Sequence, residues 1–106
     1  MIDSQQWLPR IAAARSEEDL VQIVRNYLEA WTPAEVEKLP PHCRVAPVST
    51  GQDISWAAVT LVQCELRGGM DAQVAEMVRH MASMLVAAQQ RLREILGQRY
   101  DPAPSA

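Results

Sequence analysis

The chain has 106 residues, 48% of them hydrophobic and 22% charged, with a net charge of -3. That length suits one domain with a core of its own, and that balance is globular rather than disordered. Lys38 is the single lysine and the nine arginines are scattered, so no basic face forms and nucleic acid is excluded as an expected partner.

In chain order, Pro9 suits the first turn of a helix and is poor later, so the first helix is expected over Leu8–Ala14 with Trp7 just before it. Ser16 is an N-cap followed by Glu17, Glu18 and Asp19 at the positive helix end. Leu20, Ile23, Val24, Tyr27, Leu28 and Trp31 then recur at helical spacing, which predicts an amphipathic helix over 17–31. Thr32-Pro33-Ala34-Glu35 is a capping box with proline at the first helical position; it opens a short helix that Pro40-Pro41 closes. Residues 40–49 read as irregular, with at most a short extended segment near 44–48, because Pro47 argues against a central strand. Thr50 or Asp53 starts the next helix, whose inner face is Ile54, Ala57, Ala58, Leu61 and Cys64, and Gly68-Gly69 ends it after Arg67.

Asp71 caps the last helix, expected over Ala72–Leu96 and closed by Gly97. Val74, Val78, Met81, Leu85, Ala88, Leu92 and Ile95 alternate steps of four and three along it, a seam sustained for about three heptads. Gln98 to Ala106, with Pro102 and Pro104, reads as a flexible tail. The expected fold is therefore all-α, a compact four- to five-helix domain over 1–97 with a long C-terminal helix. There is no Phe, so Trp7, Trp31 and Trp56 supply the large side chains, and each indole N–H needs a partner where buried.

The chemistry-bearing residues do not fall into a familiar spacing. The start of the chain is polar and acidic, and the longest apolar runs, such as Met84–Ala88, are far short of a membrane span. A cytoplasmic setting without membrane contact is expected, in which Cys43 and Cys64 are thiols. Zinc sites pair their ligands at short spacing, whereas here only His42 and Cys43 are close, so no metal and no cofactor is expected. His80 shares the polar face of the last helix with Glu76, four residues before it, which reads as a solvated pair. No nucleophile elbow or Gly-rich phosphate loop accompanies Cys43, and no catalytic residue is assigned. Arg44, in the loop Leu39–Val48, is placed to meet a carboxylate.

The order Trp31-Thr32-Pro33, Leu39-Pro40, Cys43-Arg44 and Asp53-Ile54, followed by an Ala-rich helix, resembles small uncharacterised proteobacterial proteins over the middle third to half of the chain. The resemblance implies no activity, cofactor or site residue. From the residues, three functions are open. The first is a small protein–protein interaction or adaptor module using the long C-terminal helix, with another protein or a second copy as partner. Met77 and Met84, on a line flanking the seam, and Leu92 and Ile95, at its far end, would be the contact residues, bordered by Arg91, Arg93 and Glu94. The N-terminal segment, through Trp7, Leu8 and Ile11, is the alternative cover for that end. The second function is a small-molecule or sensor domain with a pocket lined by Trp31, Trp56 and the methionines. The third is an enzyme using Cys43 and a histidine.

Overall fold

The computed structural model describes residues 4–100, with side chains for residues 5–97. Five helices make the fold: α1 Ser4–Ala13, α2 Glu17–Glu29, α3 Pro33–Glu37, α4 Gly51–Arg67 and α5 Ala72–Tyr100, with a 3-10 turn at Pro41–Cys43. No strand occurs among the described residues, and the segment near 44–48 is irregular, as Pro47 requires.

The helix starts follow from local chemistry. The Ser16 hydroxyl accepts from the Asp19 N–H. Thr32 and Glu35 form a reciprocal capping box, as do Thr50 and Asp53. Asp71 accepts from the Val74 N–H at 2.9 Å. Each cap satisfies amides that a first turn leaves without a partner. Gly68 and Gly69 adopt φ of +67° and +78°, a region open to glycine at little cost, and they turn α4 back into α5.

Two boundaries differ from expectation by more than two residues. α1 begins at Ser4 and carries Pro9 in its interior. Trp7 and Ile11, four residues apart, are both buried. Burying two large apolar side chains of one helical face, each contributing on the order of 1.5–3 kcal/mol, offsets the roughly 3 kcal/mol that an interior proline costs. At the other end α5 runs through Gly97 to Tyr100, because one glycine costs a helix only about 1 kcal/mol. Of the expected tail, residues 98–100 thus continue α5, and residues 101–106 lie outside the described residues.

α4 and α5 form an antiparallel hairpin, with Gly51 at the start of α4 beside Leu92 on α5. A Cβ at Gly51 would come within 3.1 Å of both Leu92 methyl carbons and of Glu17 Cδ, so glycine permits this approach. α1 lies along α5 in the same direction: Trp7 packs edge-on to Tyr27, which stacks on His80, and Ala14 meets Arg91. α2 completes the cover. Every seam residue from Val74 to Ile95 is buried, together with Leu20, Val24, Tyr27, Ile54, Ala58 and Leu61. Val21 is buried in α2, whereas Ile23 is only partly so.

Candidate functional site

The seam of α5 is buried within the chain. Met77, Met84, Leu92 and Ile95, the contact residues expected from the sequence, retain 5%, 2%, 5% and 6% of their exposure. The long helix is covered because α1 starts earlier than its proline suggested and α4 begins at Gly51, opposite Leu92. Arg91, expected on a polar rim, is instead a tertiary fastener: its Nε and Nη2 donate to the Ala14 carbonyl at 2.9 and 2.7 Å.

Among the described residues four large apolar side chains are exposed: Leu8 stands alone on α1, and the other three lie on α4. Trp56 is 63% exposed, Val59 41% and Leu66 82%. With Gln52, Ser55 and Gln63 they occupy one side of the helix, opposite Ile54, Ala57, Ala58, Leu61 and Cys64, which are buried. This outer stripe holds no charged residue. Asp53 and Arg67 stand at opposite ends of one of its edges. Trp56 therefore does not join Trp31 and the methionines in an inter-helix pocket. An open recess of about 390 Å³ beside Trp31 is lined by Glu35, Lys38, Gln73, Glu76 and Met77 among others, with Trp56 absent from it.

Cys43 and Cys64 are joined in a disulfide, with a Cα–Cα distance of 5.8 Å, and are not separate thiols. The 3-10 turn brings Cys43 onto the buried face of α4 across a sequence separation of 21; nothing in that spacing signals the contact. The turn is fixed by Cys43 N–H donating to the Pro40 carbonyl at 2.9 Å. Arg44 donates to the Leu39 and Glu37 carbonyls rather than to a carboxylate. Both cysteines are buried, His42 is exposed, and one ligating atom from each of the three lies within 4.8 Å of the others. In this oxidised state Cys43 has no nucleophilic thiol, and His80 belongs to a different part of the fold.

His80 packs in an aromatic cluster instead of pairing with Glu76. Its ring stacks on Tyr27 at 5.9 Å and meets Trp31 edge-on at 5.6 Å. Tyr27 Oη and His80 Nδ1 are 2.6 Å apart. Burial pushes the Tyr27 phenol well above the usual tyrosine range, and the nearby Trp31 indole opposes this in part. Which of the two atoms donates is set by the imidazole tautomer. His80 Nε2 and Trp31 Nε1 are both buried without a hydrogen-bond partner of good geometry. Glu76 pairs with Arg79 at 3.1 Å on the surface.

Sequence periodicity misses the outer face of α4 because this helix is apolar on two sides. The legible signal is the uncharged run from Ile54 to Cys64, in which Trp56 and Val59 fall out of phase with the inner face. Among the described residues no helix is long and apolar enough to cross a membrane. No family model, no curated protein and no solved structure matches this chain.

Proposed function

We propose that this protein is a small helical interaction module that self-associates through the outer face of α4. The observation that carries the reading is the stripe of Trp56, Val59 and Leu66, exposed and free of charge along its length. Interface centres are depleted of charge and enriched in aromatic residues, and a tryptophan is a frequent energetic anchor.

A second copy is the occupant that the pattern fits. A two-fold pair of antiparallel α4 helices sets Trp56 of one copy against Leu66 of the other and Val59 against Gln63. In the same register Asp53 of one copy approaches Arg67 of the other along the shared edge, so the contacts at both ends are between opposite charges. A parallel two-fold pair would put the Asp53 and Arg67 edges of the two copies on opposite sides of the contact and would form no such charge pair. α4 is about 26 Å long and presents a face on the order of 300 Å² at helix dimensions. Stable complexes bury about 800 Å² per partner, so the association is weak and depends on concentration. A cytoplasmic setting is part of this proposal, with the cysteine pair then open to reduction.

Sedimentation velocity from micromolar to millimolar protein tests it. The expected result is a reversible monomer–dimer equilibrium that Trp56→Glu and Leu66→Lys each abolish, while far-ultraviolet circular dichroism and the melting temperature stay unchanged. A monomer across the whole range, or a dimer indifferent to both substitutions, refutes the proposal.

A further inference from the structure

His42, Cys43 and Cys64 hold a chemistry that the interaction reading does not use. We propose that the dithiol form of the Cys43–Cys64 pair, together with His42, is a zinc site, and that formation of the disulfide closes it.

The geometry is the first support. In a tetrahedral site zinc stands about 2.3 Å from sulfur and about 2.0–2.1 Å from imidazole nitrogen, so its ligand atoms lie about 3.3–3.8 Å apart. The three ligating atoms here already lie within 4.8 Å of one another. When the disulfide is reduced its sulfurs separate to non-bonded contact, close to the edge that the tetrahedron requires. His42 and Cys43 are adjacent in sequence, which in an extended chain would splay their side chains. The 3-10 turn at Pro41–Cys43 brings both toward Cys64.

Electrostatics and preorganisation agree. A buried cation is costly unless it is paired, and two thiolates cancel the charge of a dication. Two cysteines and one histidine with a fourth position for water form a known type of zinc environment. The sulfurs are buried and His42 is exposed, so the open position faces solvent on the histidine side. The turn is held from outside by Arg44, which donates to two backbone carbonyls of residues 37 and 39, and two prolines stiffen its approach. Little backbone rearrangement is needed to load the site.

The redox step balances with a cellular dithiol as reductant. The dithiol gives two electrons and two protons to the Cys43–Cys64 bond, that bond breaks to two thiols, and the dithiol leaves as its own disulfide. Zinc then displaces the two protons from sulfur. In the reverse direction the two thiolates give two electrons to a small-molecule disulfide, whose S–S bond breaks to two thiolates that take protons from solvent, while the Cys43–Cys64 bond re-forms and zinc is released.

The test uses the full chain in its two redox states. Protein reduced with a phosphine, which does not compete for zinc as a thiol does, is titrated with zinc against a chromophoric chelator. One equivalent bound by the reduced chain and none by the disulfide form is expected. His42→Ala should weaken binding about tenfold or more, the equivalent of about 1.4 kcal/mol, and Cys64→Ser should abolish it. Since serine at a buried position can also cost stability, cobalt(II) is bound to the unsubstituted reduced chain in parallel. Thiolate-to-cobalt charge-transfer absorption with the strong visible bands of a tetrahedral ion is expected. No zinc uptake by the reduced chain, equal uptake by the disulfide form, unchanged affinity in His42→Ala, or cobalt without the charge-transfer band would each overturn the proposal.

Discussion

Arg91 offers the sharpest test of how this fold is held together. Its Nε and Nη2 both donate to the carbonyl of Ala14, which is fully buried and lies just past the end of α1. Terminal helix carbonyls lack partners within their own helix, and a cation there also meets the negative end of the helix. Arg91→Ala removes two charge-assisted donors and strands a buried acceptor. Hydrogen bonds to charged groups are worth about 1.5–3 kcal/mol each, and an unsatisfied buried acceptor costs about 1–3 kcal/mol. Because both donors share one oxygen, the two contributions overlap, and the expected loss is about 2–3 kcal/mol. The ion pair with Glu94 adds little: it spans 3.3 Å and Glu94 is 62% exposed, a situation worth about 0–1 kcal/mol before screening. Urea unfolding followed by tryptophan emission reads the loss, since Trp7 and Trp31 are buried. In thermal unfolding the same loss corresponds to a drop of about 10–20 °C for a domain of this size. Arg91→Lys should recover part of it and Glu94→Ala should cost less than about 0.5 kcal/mol. A loss below about 0.5 kcal/mol for Arg91→Ala, or one matched by Glu94→Ala, would refute the reasoning.

Leu61 and Leu85 are fully buried, so truncating either to alanine should lower stability by about 2–5 kcal/mol in urea titrations, and an unchanged midpoint would exclude them from the core. Leu92→Lys places a charge at a buried position beside Gly51; circular dichroism should report an unfolded or strongly destabilised chain, and a stable fold with altered association would return the seam to the role of partner surface. The raised phenol of Tyr27 makes the folded state hold its proton more tightly than the unfolded state. Its stability contribution is therefore present at neutral pH and lost as pH rises past the ordinary tyrosine value of about 10. Tyr27→Phe should flatten that alkaline loss in urea midpoints, and parallel pH profiles would contradict it. The Thr32 backbone N–H and hydroxyl hold the Glu35 carboxylate below the usual range. Its contribution is present above that range and lost as pH falls through the lowered value; Glu35→Gln keeps an acceptor without titrating, so the acid limb of its stability profile should be shallower than that of the native chain.

Local chemistry along the chain determined most of the secondary structure. Ser16, the Thr32–Glu35 and Thr50–Asp53 boxes, Asp71 and Gly68–Gly69 act within a few residues of themselves, and each sits where its sequence context places it. The inner face of α4 and the seam of α5 were legible for the same reason: a helix has a fixed period, so spacing alone says which side chains share a side. Spacing does not say what covers that side. The seam reads equally as core or as interface, and only the placement of α1 along α5, with Gly51 against Leu92, decided for core. The start of α1 differs from its local signal because the penalty of Pro9 acts locally, whereas the burial of Trp7 and Ile11 that offsets it does not.

The candidate sites belong to the same division. Exposure of Trp56 is not a property of its residue type, since Trp7 and Trp31 are buried in the same fold. His80 looked like a surface partner of Glu76 until Tyr27, 53 residues away in sequence, closed over it. Cys43 and Cys64 are 21 residues apart with no paired-ligand spacing between them, and they meet because two prolines and a 3-10 turn return the loop to α4. Periodicity and capping are fixed within a few residues of chain, so the sequence determined the helices. Which faces meet is fixed by contacts between residues far apart along the chain, and no signal confined to a few neighbouring residues carries that information.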